Sequence, residues 1–289
     1  MELFLQQIFN GVMLGSTYAL VALGLTLVFG ILQVPNFAHG HMYMLGAYVC
    51  FFLMTVAGFA YWPALAAAAL LLAVAGGLLE LLVFRPLRNG PHLNAFIAAL
   101  GALMILENVV TLLWGPRAYR IPNPYPGFLD VYGVMMTPQR LLVIAAAIVL
   151  IVLLQLFIKK TKWGGTIEAV AQNSEGARLV GINADRVATM TFAIATALAA
   201  VAACLVAPIF LIAPGMGTMV GMKAFVIVIL GGLGSIPGAI LGGYLLGLIE
   251  ALGGGYLSAA YKDVYGFGAL VLILAIKPTG LFGKEIQDR

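Results

Sequence analysis

Charged residues are scarce in this chain of 289 residues. Asp, Glu, Lys and Arg together make up 9% of it, while hydrophobic residues make up 63% and the mean hydropathy is +1.06. A soluble domain carries about 25% charged residues. A water-soluble fold of this length cannot hide so much apolar surface, so the sequence predicts that most of the chain is embedded in lipid. Most Lys and Arg residues lie at the ends of apolar runs, which indicates topology signals rather than nucleic-acid binding.

Motifs for catalysis and nucleotide binding are also missing. The chain has no GxxxxGK[ST], HExxH, GxSxG or CxxC sequence, which disfavours a membrane enzyme and assigns any ATP binding to another chain. The two cysteines, Cys50 and Cys204, lie in separate apolar runs without metal-ligand spacing, so we expect small side chains within the membrane and no metal site. No cationic segment precedes the first apolar run, which predicts that no secretory signal is cleaved.

The apolar runs predict an all-α fold, a polytopic transmembrane helical bundle of about eight or nine spans, in a single domain over residues 1–289. A helix needs about 20 apolar residues to cross the hydrocarbon core. Residues 218–252 would form one helix about 52 Å long, which is too long for that core, so we expect a break at the Gly- and Pro-rich residues 231–238. The other candidate spans cover residues 8–32, 42–59, 63–84, 93–114, 141–158, 187–211 and 264–276.

Positive charge predicts the orientation of the bundle, because Lys and Arg favour cytoplasmic loops. Arg85, Arg88, the basic residues of segment 159–186 and those of the tail 277–289 fit on one side, which leaves the N-terminus outside. Residues 115–139 then also lie outside and contain five prolines, which favour a stiff, extended loop. This loop is either an inert linker or a surface on which an external partner lands.

Polar residues interrupt the apolar runs. Residues 33–41 include Pro, Asn and two His at a membrane boundary, and they either cap the adjoining helices or form an unwound segment that lines a substrate path. His39 and His41 point in different directions on a helix, which disfavours a shared metal ion. Glu107 lies deepest in its span. We expect it to be neutral and hydrogen-bonded between helices, because no buried cation or second row of carboxylates is evident nearby.

Glycines recur at four-residue spacing in several spans. Such pairs let helix backbones approach closely, which is how helices associate in lipid. Among 35 glycines some pairs also arise by chance. We expect tight helix packing at Gly11 with Gly15, Gly217 with Gly221, Gly238 with Gly242, and Gly243 with Gly247.

A polar segment, residues 159–186, separates two apolar spans. Thr166 and Ser174 are suited to cap two short helices, and Gly181 is suited to end the second helix. Small residues permit close docking, while Leu179 and Ile182 supply an apolar plug. The segment is either a simple connection or a docking surface for a cytoplasmic partner.

The same segment resembles the coupling loop of ABC importer permeases, in which Glu-Ala-Ala is followed by a Gly and a later Ile. Glu168 and Ala169 match the start of that motif, with Val170 in place of the second Ala and a shorter distance from Gly176 to Ile182. Five further segments are similar to the H-type permease subunit of the high-affinity, binding-protein-dependent branched-chain amino acid ABC transporters: GLTLVFG at 24–30, NFAHG at 36–40, MLGAY at 44–48, GIN at 181–183 and GGLGSIPGA at 231–239. Urea and short-chain amide permeases share much of this pattern.

The resemblance implies a permease subunit that translocates leucine, isoleucine or valine across the bacterial inner membrane as a multi-pass protein. The partners it implies are a second homologous permease subunit, two ABC ATPase subunits that carry ATP and Mg, a periplasmic substrate-binding protein and membrane lipid, with no cofactor on this chain and no nucleic acid. Residues 159–186 would be the cytoplasmic coupling loop, and residues 115–139 the periplasmic loop. The implied ATPase-coupling residues are Glu168, Ala169, Gln172, Asn173, Gly176, Ala177, Leu179, Gly181 and Ile182. The implied translocation path contains Asn36, Phe37, His39, Gly40, Glu107, Gly231, Gly232, Gly234, Ser235 and Pro237.

The residues alone leave two other functions open. Glu107 and the spans broken by Gly and Pro also fit an ion-coupled secondary transporter of a small apolar or amide solute. A purely structural membrane scaffold fits less well, because polar, broken backbone at membrane depth is costly.

Overall fold

The computed structural model describes residues 1–88, 90–131 and 133–283. These residues form a helical bundle with one short hairpin, which confirms the predicted fold class. The tail residues 284–289, which entered the orientation argument, lie outside the described residues. The helices are α1 (Glu2–Leu32), α2 (His39–Thr55), α3 (Tyr61–Leu79), α4 (His92–Trp114), α5 (Pro138–Lys160), α6 (Lys162–Gln172), α7 (Ser174–Leu179), α8 (Ala184–Val206), α9 (Met216–Gly231), α10 (Ile236–Tyr256) and α11 (Lys262–Ile276), and the hairpin pairs β1 (Leu129–Val131) with β2 (Val134–Met136).

Seven helical stretches in the described residues are long and apolar enough to cross a membrane. They contain α1, α3, α4, α5, α8, α10 and α11, whereas α2 and α9 are shorter, with 17 and 16 residues. An apolar 18-residue window of α1 is 83% buried, against 17% for a window of α4 and 6% for Ala259–Ile276, which contains α11. Helix α1 therefore forms the centre of the bundle, and α4 and α11 present Leu, Ile and Val side chains to the outside, where lipid can cover them.

The long apolar run breaks where the Gly- and Pro-rich sequence predicts it. Gly232 and Gly234 adopt positive φ angles of 100° and 78°, which glycine tolerates without steric cost. The Ser235 side chain then accepts a hydrogen bond from the Gly238 backbone N–H at 3.2 Å, and Pro237 occupies the first turn of α10. Because the first turn of a helix has no internal partner for its N–H groups, proline is tolerated there. The run therefore forms α9 and α10 as two helices.

Helices α1 and α10 pack along a seam of glycines. A Cβ atom added to Gly15 would lie 2.7 Å from the Cα atom of Tyr244, and one added to Gly243 would lie 2.7 Å from the backbone N of Ala19. Both distances are shorter than carbon contacts allow, so only glycine permits this separation of the two backbones. The expectation of close packing at the Gly11/Gly15 and Gly243/Gly247 pairs is confirmed.

Helix α2 begins deep inside the bundle. The His39 ring bonds to the backbone oxygen of Val21 at 3.2 Å, although α1 continues to Leu32, roughly 16 Å further at 1.5 Å per residue. Residues 33–38 therefore run back into the bundle before α2 starts. At this depth Gly40 packs directly against the backbone of Gly217 and Gly221, near the start of α9. The polar segment near the N-terminus is thus re-entrant, and its role in lining a substrate path stays a prediction.

The N-terminus and the Pro-rich loop lie at the same end of the bundle. The Gln6 side chain bonds to the backbone of Met135 in β2, accepting from its N–H at 2.9 Å and donating to its oxygen at 3.2 Å. Further along the loop, the Tyr125 hydroxyl accepts a hydrogen bond from the Trp62 indole at 2.8 Å. This arrangement agrees with the predicted topology, in which both segments share one side of the membrane.

Candidate functional site

A polar centre joins α2, α4 and α9. Glu107 Oε2 lies 3.1 Å from Nε2 of His41 and accepts a hydrogen bond from the Thr218 hydroxyl at 3.4 Å. His41 is fully buried, whereas the Glu107 side chain is 36% exposed. The expectation that Glu107 is hydrogen-bonded between helices is confirmed. Sequence reasoning missed His41 as its partner because the two residues are 66 positions apart.

The re-entrant segment and the start of α2 carry four of the ten predicted path residues: Asn36, Phe37, His39 and Gly40. Asn36 is buried, and its Oδ1 accepts from the Ala38 N–H at 3.2 Å just before α2 starts. The Phe37 ring packs edge-on against Phe96 and tilted against Phe225, with centroids 5.8 and 5.3 Å apart. Among the described residues, three buried nitrogens of this segment have no hydrogen-bond partner: Asn36 Nδ2, His39 Nδ1 and His41 Nδ1. Buried polar atoms without a partner are uncommon in proteins and mark places where a ligand or water can bind.

The other predicted path residues lie elsewhere. Residues 232–235 form the turn between α9, which ends at Gly231, and α10, whose first turn contains Pro237. This turn packs against the C-terminal segment. The backbone N–H groups of Leu281 and Phe282 donate to the oxygens of Leu230 and Gly231 at 2.8 and 3.0 Å. The structure does not bring the turn together with Glu107. The proposed path role stays a prediction for Gly231, Gly232, Gly234, Ser235 and Pro237.

A buried ion cluster joins four helices. Lys223 Nζ of α9 lies 2.8 Å from Glu250 Oε2 of α10 and 2.8 Å from Asp263 Oδ1 of α11. The Tyr18 hydroxyl of α1 donates to Glu250 at 2.8 Å and accepts from Lys223 at 2.9 Å. Sequence reasoning missed this ion cluster. A signal was available in the sequence, because Lys223 is the one basic residue in the apolar run 218–252.

Segment 162–182 contains the predicted pair of short helices, α6 and α7, with a bend between them. The caps differ from the prediction: the Thr161 side chain accepts from the Gly164 N–H at 3.0 Å, and the Asn173 side chain accepts from the Gly176 N–H at 2.8 Å. Thr166 lies inside α6, and Ser174 is the first residue of α7 rather than its cap. Gly181 ends the pair with a positive φ of 85°, as predicted.

The exposed tip of this segment is apolar. The side chains of Leu179 and Val180 are 90% and 77% exposed, which is unusual for adjacent large aliphatic residues. Ile182 is partly buried and packs against the bundle, so its predicted place beside Leu179 in the plug is wrong and Val180 takes it. Ala177 is buried, and Ala169 and Gly176 are partly buried. The exposed members of the predicted coupling set are Glu168, Gln172, Asn173, Leu179 and Gly181.

Beside this segment, Glu80 lies fully buried at the end of α3. Its carboxylate accepts hydrogen bonds from Arg85 at 3.2 Å, from Arg88 at 2.5 Å and from the Thr189 hydroxyl at 2.7 Å. Arg88 also donates to Asp185 at the start of α8. Two cations and one hydroxyl compensate the burial of the Glu80 charge, which is costly without such partners.

Membrane-length helices around a re-entrant polar segment define a multi-pass membrane permease. The family model described as "Branched-chain amino acid transport system / permease component" matches residues 7–276. The chain belongs to this family of permease components.

Individual relatives agree with this assignment. The chain is 42% identical to the high-affinity branched-chain amino acid transport system permease protein LivH of Escherichia coli K12, over 99% of this chain and 97% of the relative. It is 39% identical to BraD of Pseudomonas aeruginosa, over 99% of this chain and 98% of BraD. The chain is 28% identical to LivM of Salmonella typhimurium, a permease protein of the same kind of system. That match covers 91% of this chain and 67% of LivM. Among solved structures, PsaBC from Streptococcus pneumoniae has the same fold, with a TM-score of 0.53 at 11% identity over 96% of this chain and 94% of that one.

Proposed function

We propose that this chain is the membrane-spanning permease subunit of an ABC importer that moves leucine, isoleucine or valine across the bacterial inner membrane. ATP and Mg bind to two separate ATPase subunits, and this chain carries no cofactor. A second, homologous permease subunit completes the pathway, and a periplasmic binding protein delivers the solute at the end that carries residues 115–139. The family of the chain and the similarity to both LivH and LivM support this assembly.

The observation that carries the proposal is the exposed apolar tip of segment 162–182. Leu179 and Val180 project from the end of the bundle opposite to the Pro-rich loop. A fully exposed aliphatic pair next to charged residues is typical of a protein interface, in which an apolar centre is surrounded by a polar rim. We infer that the tip docks in a cleft of an ATPase subunit, with Glu168, Gln172 and Asn173 on its rim.

The solute passes the polar centre. Phe37 gives the wall an aromatic surface that suits an aliphatic side chain, while Glu107, His41 and the unpartnered nitrogens of the re-entrant segment suit its polar groups. Gly40 lets α2 and α9 approach closely at this depth. ATP-driven closure at the docking tip opens and shuts access to this centre, and no bond is made or broken on this chain.

The test compares Val180→Glu with Val56→Glu in complexes reconstituted in proteoliposomes with the ATPases, the second permease and the binding protein. The two valines are both 77% exposed, but Val56 lies at the opposite end of the bundle. A charge in the apolar docking site is expected to cost about 2 kcal/mol, which is roughly 30-fold in affinity for the ATPases. Val180→Glu should therefore abolish most ATP-dependent leucine uptake, and Val56→Glu should not. Uptake by Val180→Glu as fast as by the unaltered complex would rule out docking at the tip.

The buried ion cluster favours a second candidate, an ion-coupled secondary transporter. Lys223 and its two carboxylate partners are the kind of intramembrane ionisable groups that ion-coupled carriers use. In that case the chain alone transports solute in vesicles along an ion gradient and does not respond to ATP. Uptake that requires ATP and the ATPase subunits excludes this candidate.

A further inference from the structure

The Glu80 cluster, which consists of Glu80, Arg85, Arg88, Asp185 and Thr189, connects three parts of the molecule. On one side, the buried Glu80 carboxylate binds Arg88 of the α3–α4 connection and Thr189 of α8. On the other side, Asp185 lies 3.6 Å from Arg178 of α7, close to the exposed tip at Leu179. A continuous series of charged contacts therefore runs from the tip of segment 162–182 to the ends of α3 and α8.

The contacts in this series differ in strength. Arg178 and Asp185 are both about half exposed, and a solvent-exposed ion pair of this kind contributes little. The Glu80 side chain is fully buried and the Arg88 side chain is 17% exposed, so breaking this pair leaves an uncompensated buried charge. The contact near the tip is therefore the weaker one, and the contacts inside the bundle hold α3 and α8 together.

The backbone at the cluster is irregular. Helix α3 changes into a π-helical turn at Glu80–Phe84 and then into a 3-10 turn at Arg85–Leu87. π-helical turns are rare and occur frequently at functional sites. This one places the Glu80 carboxylate and both arginines beside the first turn of α8.

Above the cluster, α3 and α8 pack closely along their length. The Thr196 hydroxyl of α8 donates to the backbone oxygen of Leu72 in α3 at 2.7 Å. Gly76 faces the same Thr196, with a separation that leaves no room for a Cβ atom. Helices α3 and α8 are therefore held together by direct contacts above the cluster.

We propose that the Glu80 cluster transmits the movement of segment 162–182 to the paired helices α3 and α8. Glu80, Arg88 and Asp185 are positioning residues in this scheme, and none of them contacts the solute. The inference rests on the proposed function, because it needs ATPase subunits that move the tip. It adds a specific mechanical link between the docking tip and the membrane helices.

The experiment measures leucine uptake and ATP hydrolysis together in the reconstituted complex, with Asp185→Asn, Glu80→Gln and the double variant. Lys277→Gln is the matched control, since Lys277 is an exposed cation at the same end of the bundle and outside the cluster. If the cluster transmits the movement, Asp185→Asn should lower the leucine transported per ATP about tenfold, within the usual range of coupling between sites. The double variant should be no worse than Glu80→Gln alone, because both residues act through Arg88.

The outcomes separate this inference from the proposed function. Absence of ATP-dependent uptake in the unaltered complex overturns the proposed function itself. If the unaltered complex is active but both single variants transport as much leucine per ATP as it does, the proposed role of the Glu80 cluster is overturned and the proposed function stands. If the variants lose leucine uptake and ATP hydrolysis in proportion, the cluster has a purely structural role, which also overturns its proposed role in transmitting the movement. If Glu80→Gln fails to assemble, the half-exposed Asp185→Asn decides the question.

Discussion

Lys223 and Glu250 form a buried ion pair between α9 and α10, with 2.8 Å from Nζ to Oε2. The two residues are 8% and 3% exposed. Lys223 also pairs with Asp263, whereas the other partner of Glu250 is the neutral Tyr18 hydroxyl. The cation is therefore shared between two carboxylates. Removing the cation should lower the stability of the fold more than removing one carboxylate does.

Lys223→Met is expected to lower stability by about 3–5 kcal/mol, because it leaves the buried Glu250 carboxylate and the partly buried Asp263 carboxylate without a cation. Glu250→Gln should cost less, since Lys223 keeps Asp263 as its partner. The measurement is the midpoint of thermal unfolding in detergent, with Lys262→Gln, at the exposed start of α11, as the control. Equal losses in the two variants would show that Lys223 is not shared.

Gly15→Ala should destabilise the bundle by about 1–3 kcal/mol, the usual cost of overpacking a close contact. The added Cβ atom would meet the α10 backbone at Tyr244. Gly101→Ala in α4 is the matched control, because nothing lies within 4 Å of the position of its Cβ atom. That variant should be neutral or slightly stabilising, since alanine favours a helix more than glycine does. Thermal unfolding of both variants in detergent checks the contrast, and a normal midpoint for Gly15→Ala would contradict the seam.

Glu107→Gln is expected to keep ATP-dependent leucine uptake within about threefold, because an amide can still bond to His41 and Thr218, and such neutral bonds each contribute about 1 kcal/mol. Glu107→Leu leaves the buried His41 nitrogen without a partner, which costs about 1–3 kcal/mol. Uptake should fall strongly in that variant. Initial rates of leucine uptake, measured at a saturating concentration of binding protein, distinguish Glu107→Gln from Glu107→Leu. A complete loss with Gln would mean that the charge of Glu107 is needed.

The caps of α6 and α7 can be tested by hydrogen exchange. Thr161→Ala and Asn173→Ala each remove a side chain that accepts a backbone hydrogen bond in the first turn, which should cost about 1 kcal/mol of local stability. Thr166→Ala and Ser174→Ala should have smaller effects. Faster amide exchange in α6 or α7 only for the first two variants supports the observed caps, and the reverse order would restore the caps predicted from sequence.

The spans could be predicted from sequence because apolar length and helix breakers are local properties. These local properties predict the turn at Gly232 and Ser235 and the start of the last span near Lys262. The start of α6 could not be predicted in the same way. Gly164 and Gly165 disfavour a helix locally, but Gly164 packs against the last turn of α5 at Ile158, where a side chain does not fit. Tertiary packing overrides propensity there.

The hydrogen-bond and ion-pair partners of the buried polar residues could not be predicted from the sequence either. Glu107 and His41 lie 66 positions apart, and Lys223 and Tyr18 lie 205 positions apart. Hydropathy identifies such residues as costly within a membrane, but it does not say which helices are neighbours. A single sequence therefore predicts candidate residues, while their pairing depends on the packing of the bundle.

The position of α1 at the centre has a consequence for synthesis in the cell. This helix is translated before the other helices described above, yet its seam partner α10 begins about 200 residues later, at Ile236. At about 5–20 residues per second, ribosomes need roughly 10–40 s to reach it. During that time Gly15, Ser16 and Tyr18 face lipid or the insertion machinery instead of their final neighbours. The chain therefore acquires its final interior only after α10 has been translated, and a chain truncated before α10 leaves α1 without its packing partner.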